Sequence, residues 1–193
     1  MFDKIKITIQ EHRYRKYIEN HKNNVFQAFV EMVMCPDMNW LFCQEGIYNA
    51  LIDRVLVHDD SKFSTEEFDA YRKNFYPINK KEKEDNKQNF LLAWEHHYKN
   101  NRHHWQARQY DQDDELSFET IMDIIENVCD WLAMGYNFGD RPYQYYEKNK
   151  DFIKLPQKQQ ELLEKIIYQG IDKECIQKHK NLTKERKLKY GQV

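Results

Sequence analysis

Apolar residues recur at intervals of three and four along most of the chain, the spacing of helices that bury one face. Between about Glu11 and Met34 the stripe is Tyr14, Tyr17, Ile18, Val25, Ala28, Phe29 and Met32, and His21 falls on it. Cys35-Pro36-Asp37 breaks that helix, and Asp37 offers a cap for a second one over about 38–57, with Trp40, Ile47, Leu51 and Val55 inward. Ser64 and Glu67 have the spacing of a capping box and predict a third helix through Tyr71 to Phe75. After Pro77, residues 79–89 are polar and of mixed charge, a surface loop or the exposed start of a helix. The next helix, about 87–98, sets Phe90, Ala93, Trp94 and His97 on its inner face. Residues 109–116 read as an acidic loop. Ser117 then caps a helix from Phe118 to about Tyr136 with Ile121, Ile124, Ile125, Val128 and Leu132 inward. Asp123, Glu126 and Asp130 form an acidic stripe beside that face. A turn at 138–142 leads to an aromatic packing patch of Tyr143, Tyr145 and Tyr146, and a last helix over about 157–169 is stopped by Gly170. Residues 4–9, Lys-Ile-Lys-Ile-Thr-Ile, alternate with period two and suggest a short strand or an extended arm.

The expected fold is therefore all-α, a single-domain helical bundle over residues 1–193 with about six to seven helices. A chain of 193 residues fits one domain with a full core, and only five glycines and four prolines leave little material for tight turns. No run approaches the roughly 20 apolar residues of a membrane span. The N-terminal residues lack the apolar segment of a signal peptide. Cys35, Cys43, Cys129 and Cys175 show no C-x-x-C spacing, so reduced thiols in a cytoplasmic protein are expected. A formal charge of −2 gives no overall drive toward nucleic acid or membrane. The tail from Lys173 is basic, with Lys178, Lys180, Lys184, Arg186, Lys187 and Lys189. A solvated tail is the preferred reading, so nucleic acid is not the expected partner. Self-association is left open.

The chemistry centres on Val55-Leu56-Val57-His58-Asp59-Asp60-Ser61-Lys62-Phe63. A helix ending at His58-Asp59 can turn both side chains toward one point, and imidazole nitrogen and carboxylate oxygen are ligands for transition metals. By itself a His-Asp pair arises by chance in many chains, and Asp59 with Asp60 also fits a solvated helix-end turn. His21 alone fits a core histidine bonded to a carbonyl, and Asp130 alone a solvated charged edge. The segment His96-His97-Tyr98-Lys99-Asn100-Asn101-Arg102-His103-His104 holds half of the eight histidines, which is more than a surface helix requires. In chain order the candidate ligands are His21, His58, Asp59, His97, His103, His104 and Asp130.

This order, with Leu56-Val57-His58-Asp59-Asp60-Ser61-Lys62 at its centre, resembles the HD-domain superfamily of metal-dependent phosphohydrolases and its L-x-H-D-x-x-K signature. The similarity covers about residues 12–137, which would be an HD-like metal-binding core, with 138–193 a C-terminal helical extension ending in the basic tail. Uncharacterised bacterial and phage proteins with an H-H-x-x-x-N-x-H-H segment are also similar. The resemblance implies that His21, His58, Asp59 and Asp130 hold one divalent transition metal (Fe, Mn, Ni, Co or Zn). His97 with His103 or His104 would hold a second, bridged by Asp59. It implies a cytoplasmic phosphohydrolase acting on a nucleotide or another small phosphate ester. Asp59 and Lys62 would be catalytic, and Lys62 with Arg102 or Lys99 would contact phosphate. Asp60 would be a bystander. The same ligand set resembles the di-iron oxygenases of this fold, and a non-catalytic helical interaction protein with a structural metal is the third alternative. Three departures matter. Only six or seven residues separate His97 from the His103-His104 pair, so either one helix and its following turn supply both, or one pair merely supports the ligands. Tyr17 stands where the cyclic-dinucleotide branch has a glutamate, so a third metal is not expected. Trp105-Gln106 follows His104 in place of a glycine-tyrosine-proline motif, so cyclic-dinucleotide cleavage is not expected.

Overall fold

The computed structural model describes residues 2–112 and 116–178. Ten α-helices occur among them, more than the six to seven expected, and no strand. Helix α1 spans Phe2–Met34. It absorbs residues 4–9, which the alternation had suggested as a strand or arm. With no strand to pair with among the described residues, those backbone groups satisfy one another along the helix instead, and Ile5 and Ile9 are left exposed.

The single helix expected over 38–57 is two: α2 at Asn39–Phe42 and α3 at Ile47–Leu56. Gly46 divides them with φ +83°, a left-handed conformation that costs glycine little. Helix α4 covers Phe68–Phe75 and starts later than the Ser64/Glu67 spacing suggested. No capping box forms: Ser64 Oγ has no partner among the described residues, and the Glu67 carboxylate is drawn to histidines. The polar stretch after Pro77 is the helix α5, Lys80–Asp85, capped by Asn79 Oδ1, which accepts from the Glu82 N–H at 2.9 Å. Helix α6 is Lys87–Asn100 and α7 is Trp105–Arg108.

Ser117 caps α8, Phe118–Phe138, by accepting from the Thr120 N–H at 3.1 Å, as its position suggested. The tyrosine patch is itself helical, α9 at Pro142–Asn149, and Tyr146 is buried. Helix α10, Gln157–Lys165, runs into a π-helical turn over Ile166–Ile171 that Gly170 breaks. Lys180, Lys184, Arg186, Lys187 and Lys189 of the basic tail lie outside the described residues.

Helix α8 is the central element. Met122, Ile124, Ile125, Val128, Cys129 and Leu132 on it are all fully buried. Each such side chain contributes about 1.5–3 kcal/mol over an exposed one. Their cluster includes Val25 and Phe29 of α1, Leu51 and Val55 of α3, and Leu163 of α10 with Ile166 and Ile167 after it. The segment beyond residue 138 therefore shares the core of the part before it. A smaller aromatic cluster joins Tyr14 and Ile18 of α1 to Tyr71 of α4 and Ala93 of α6. On α1, His21 falls between Ile18 of one cluster and Val25 of the other. No described helix is long and apolar enough to cross a membrane.

Candidate metal centre

Five elements converge where the two clusters meet. Helix α1 supplies His21, the end of α3 supplies His58 and Asp59, α6 supplies His97, the turn after α6 supplies His103 and His104, and α8 supplies Asp130. His21, His58, Asp59, His97, His103 and Asp130 are each at most 8% exposed. Asp59 is the only non-glycine residue with positive φ among the described residues, at +59°. Aspartate tolerates this left-handed conformation better than most residues, and such outliers concentrate at functional sites.

The Asp59 carboxylate faces two ways. Its Oδ2 is 3.5 Å from His21 Nε2 and 3.6 Å from His58 Nε2. Asp130 Oδ1 lies 3.0 Å from His21 Nε2 and 3.8 Å from His58 Nε2. The other oxygen, Oδ1, is 3.2 Å from His97 Nε2 and 3.7 Å from His103 Nε2. Nitrogen and oxygen ligands about 2.1 Å from one ion stand about 3–4 Å from each other. His21, His58 and Asp130 thus meet the spacing of one donor group, and Asp59, His97, His103 and His104 that of another. Helix α6 and its following turn supply both His97 and the double histidine, one of the two arrangements that their short separation allowed.

The outer faces of the imidazoles are held by carboxylates. Glu126 Oε1 lies 2.8 Å from His58 Nδ1 and 3.1 Å from His103 Nδ1, so one oxygen serves a histidine of each group. Its Oε2 accepts from Arg54 Nε at 2.9 Å. Glu67 Oε2 lies 2.8 Å from His97 Nδ1, and Oε1 the same distance from the partly exposed His96. A proton on Nδ1, donated outward, leaves the Nε2 lone pair pointing inward. Burial pushes the Glu126 carboxyl up, but hydrogen bonds from His103 and His58 hold it well below the usual carboxylate range. Burial pushes His103 and His104 down, toward the neutral form that ligates.

His58 Nε2, His97 Nε2, His103 Nε2, His104 Nε2 and Asp59 Oδ1 are buried without a hydrogen-bond partner among the described residues. Each such atom costs about 1–3 kcal/mol. Five together approach the whole stability of a domain, about 5–15 kcal/mol. Four of the five belong to the second donor group and His58 Nε2 to the first, so a cation at each group would satisfy them all, and these groups can hold metal ions.

Lys62 Nζ donates to Asp59 Oδ2 at 2.5 Å and lines a cavity of about 580 Å³ beside the centre, with His21, His104 and Asp130. Asp60 turns away to an ion pair with Lys22 and is half exposed. Arg102 is not among the residues lining that cavity: its Nε binds Asp123 at 3.1 Å and its Nη2 binds Asp111 at 2.8 Å. Lys99 pairs with Glu95 on the surface at 2.6 Å.

Four supporting residues were missed in the sequence. Glu126 was visible only as part of an acidic stripe, although it precedes Asp130 by one helical turn. Glu67 was taken for a cap. Nothing marked Arg54 or Arg108. Arg108 is fully buried: Nη1 donates to the His103 carbonyl at 2.9 Å and also to that of Arg102, and Nη2 donates to Asn127 Oδ1 at 3.1 Å. It thereby ties the double-histidine turn to α8.

The chain belongs to a protein family of unknown function, DUF5662, whose model matches residues 10–181. No curated protein and no solved structure matches it.

Proposed function

We propose that this member of a family without an assigned activity is a metal-dependent phosphohydrolase acting on a nucleotide or another small phosphate ester. The observation that carries the reading is the pair of donor groups, with Asp59 Oδ1 in one and Asp59 Oδ2 3.5–3.6 Å from the histidines of the other, beside a cavity that Lys62 also lines. The similarity of Leu56–Lys62 to the HD signature supports it. His21, His58, Asp59 and Asp130 would hold one divalent ion, and Asp59, His97, His103 and His104 a second. Such ions lower the pKa of bound water to give hydroxide near neutral pH and offset charge on a phosphoryl oxygen.

The chain's own residues set the conditions for that chemistry. Asp59 divides its two oxygens between the donor groups and fixes their separation. Glu126 and Glu67 keep protons on the outer nitrogens of His58, His103 and His97, so that all three present lone pairs inward. Lys62 is the one cation among the described residues lining the cavity. Burial pushes its ammonium toward the neutral form, but Asp59 overrides this and keeps it charged. Its N–H groups not used on Asp59 are available to a phosphate oxygen.

One observation favours a second reading. Most of the cavity wall is aromatic, and this also suits an organic substrate of a di-iron oxygenase. A purely structural metal is disfavoured, because structural sites are closed and this one adjoins a cavity.

Phosphate release from a panel of small phosphate esters, with Mn, Ni, Co, Fe or Zn supplied, tests the reading. Activity should need metal, disappear in Asp59→Ala and persist within about threefold in Asp60→Ala, because Asp60 points to Lys22. Equal tolerance of both substitutions would contradict the assigned roles. Oxygen consumption by an iron-loaded protein that releases no phosphate would favour the oxygenase.

A further inference from the structure

The cavity beside the centre is lined by two unlike sets of residues. Tyr14 and Tyr71 line it, are 1% and 5% exposed, and their hydroxyls have no partner among the described residues. The Tyr71 ring centroid lies 5.8 Å from Lys62 Nζ and 5.7 Å from that of His97. Tyr14 stacks on Tyr17, which stacks on His21. One buried phenol thus stands beside Lys62 and His97, and the other reaches the first donor group's His21 through Tyr17. A buried hydroxyl left unpaired is costly, so two of them lining one cavity call for an acceptor-rich ligand group.

The other set is different. Trp131 and Tyr145 lie with ring centroids 4.8 Å apart, and Phe138, 73% exposed, stands at the rim. Apart from Lys62, the charged residues of the lining are Asp130 and Asp140. A chain of further phosphates extending outward would meet π-faces and a carboxylate, with no second cation.

Resting on the phosphohydrolase reading, we propose that this cavity selects a phosphate monoester with a flat aromatic body. Tyr14, Tyr71 and Lys62 donate to the phosphate oxygens, and Trp131, Tyr145 and Phe138 stack on the organic group. Polyphosphates and small aliphatic phosphates are poor substrates. The hydrolysis consumes water and yields the aromatic alcohol and inorganic phosphate.

Two measurements on the full-length, metal-loaded protein test this. In the first, phosphate release is compared for 1-naphthyl phosphate, glycerol 3-phosphate and adenosine triphosphate. The expected kcat/KM favours the naphthyl ester by tenfold or more over both others. Stacking contributes about 1–3 kcal/mol per ring, or about 5- to 150-fold, so Trp131→Ala and Phe138→Ala should raise KM by at least fivefold with little change in kcat. Tyr14→Phe and Tyr71→Phe should each raise KM for the ester while metal content and 1-naphthol binding stay unchanged. In the second, 1-naphthol is titrated against tryptophan fluorescence, with Trp131→Ala and Phe138→Ala as controls for location.

Equal rates on glycerol phosphate, or a preference for the triphosphate, would overturn the substrate class while leaving the hydrolase reading intact. Naphthol binding that both controls weaken, with no phosphate released from any ester, would overturn the hydrolase reading and the phosphate contacts while the aromatic contacts stand. No binding and no release would overturn both.

Discussion

Glu126 is the residue on which both donor groups converge. A single oxygen serves His58 and His103, one from each group, and Arg54 occupies the other oxygen. Supporting carboxylates of this kind typically alter metal affinity by about 10- to 100-fold. Glu126→Gln keeps the shape but loses the charge that favours two N–H donors on one oxygen. Both metals should therefore weaken together by at least tenfold in chelator competition, whereas weakening of one alone would show that the shared oxygen does not link the groups.

His58 gives a pH signature at the same scale. Burial pushes its pKa down, but Asp59, Glu126 and Asp130 raise it to about 8 in the folded chain without metal. The folded value lies above the ordinary 6.5, so its stabilisation is fully present below pH 6.5 and is lost as pH rises through about 8. The difference is worth about 2 kcal/mol. A metal ligand must instead be deprotonated. Over pH 6.5–8, chelator-treated protein should lose thermal stability, while metal-loaded protein should hold or gain it. Identical trends for the two forms would contradict His58 as a ligand.

At the scale of elements, the site depends on two joints. Arg72 of α4 binds Glu82 of α5 through both Nη atoms, at 2.9 and 3.0 Å, and helps to seat the helix that follows Glu67. Arg108 holds the turn carrying His103 and His104 to α8 and reaches α10 through Gln159 Oε1 at 3.1 Å. Arg108→Met would strand buried carbonyl and amide oxygens. Breaking such a network costs about 3 kcal/mol or more. Urea unfolding should show that loss, with the metal-free protein affected as strongly as the loaded one. A loss confined to the loaded form would show that Arg108 acts only on the metal ligands.

For the whole molecule, the helices with strong apolar stripes and the inward set His21, His58, Asp59, His97, His103, His104 and Asp130 could be read from the sequence. Inward histidines break an apolar pattern and so advertise themselves. Glu67 and Glu126 did not, because an acid beside a helix start or an acidic stripe has an ordinary explanation at the surface. Their role depends on contacts to histidines 23 to 68 residues away in the chain. The same limit hid Arg108, whose partners come from three separate segments. Short elements were misjudged where local pattern and tertiary packing disagreed: residues 4–9 alternate yet are helical, and Gly46 splits a stretch whose periodicity is continuous. Tyr14 reads as one position of an apolar stripe and Tyr71 only as part of a short helix, and only the fold brings their hydroxyls to the same cavity.

The central claim is that the histidine-aspartate cluster is a metal centre, and elemental analysis of purified protein tests it most directly. Wild-type protein reconstituted with Mn, Fe, Co, Ni or Zn should carry close to two ions per chain after removal of excess metal. Asp59→Ala should lose both, and His21→Ala should retain about one. A folded wild-type protein that binds no transition metal, or an Asp59→Ala protein with unchanged metal content, would contradict the account.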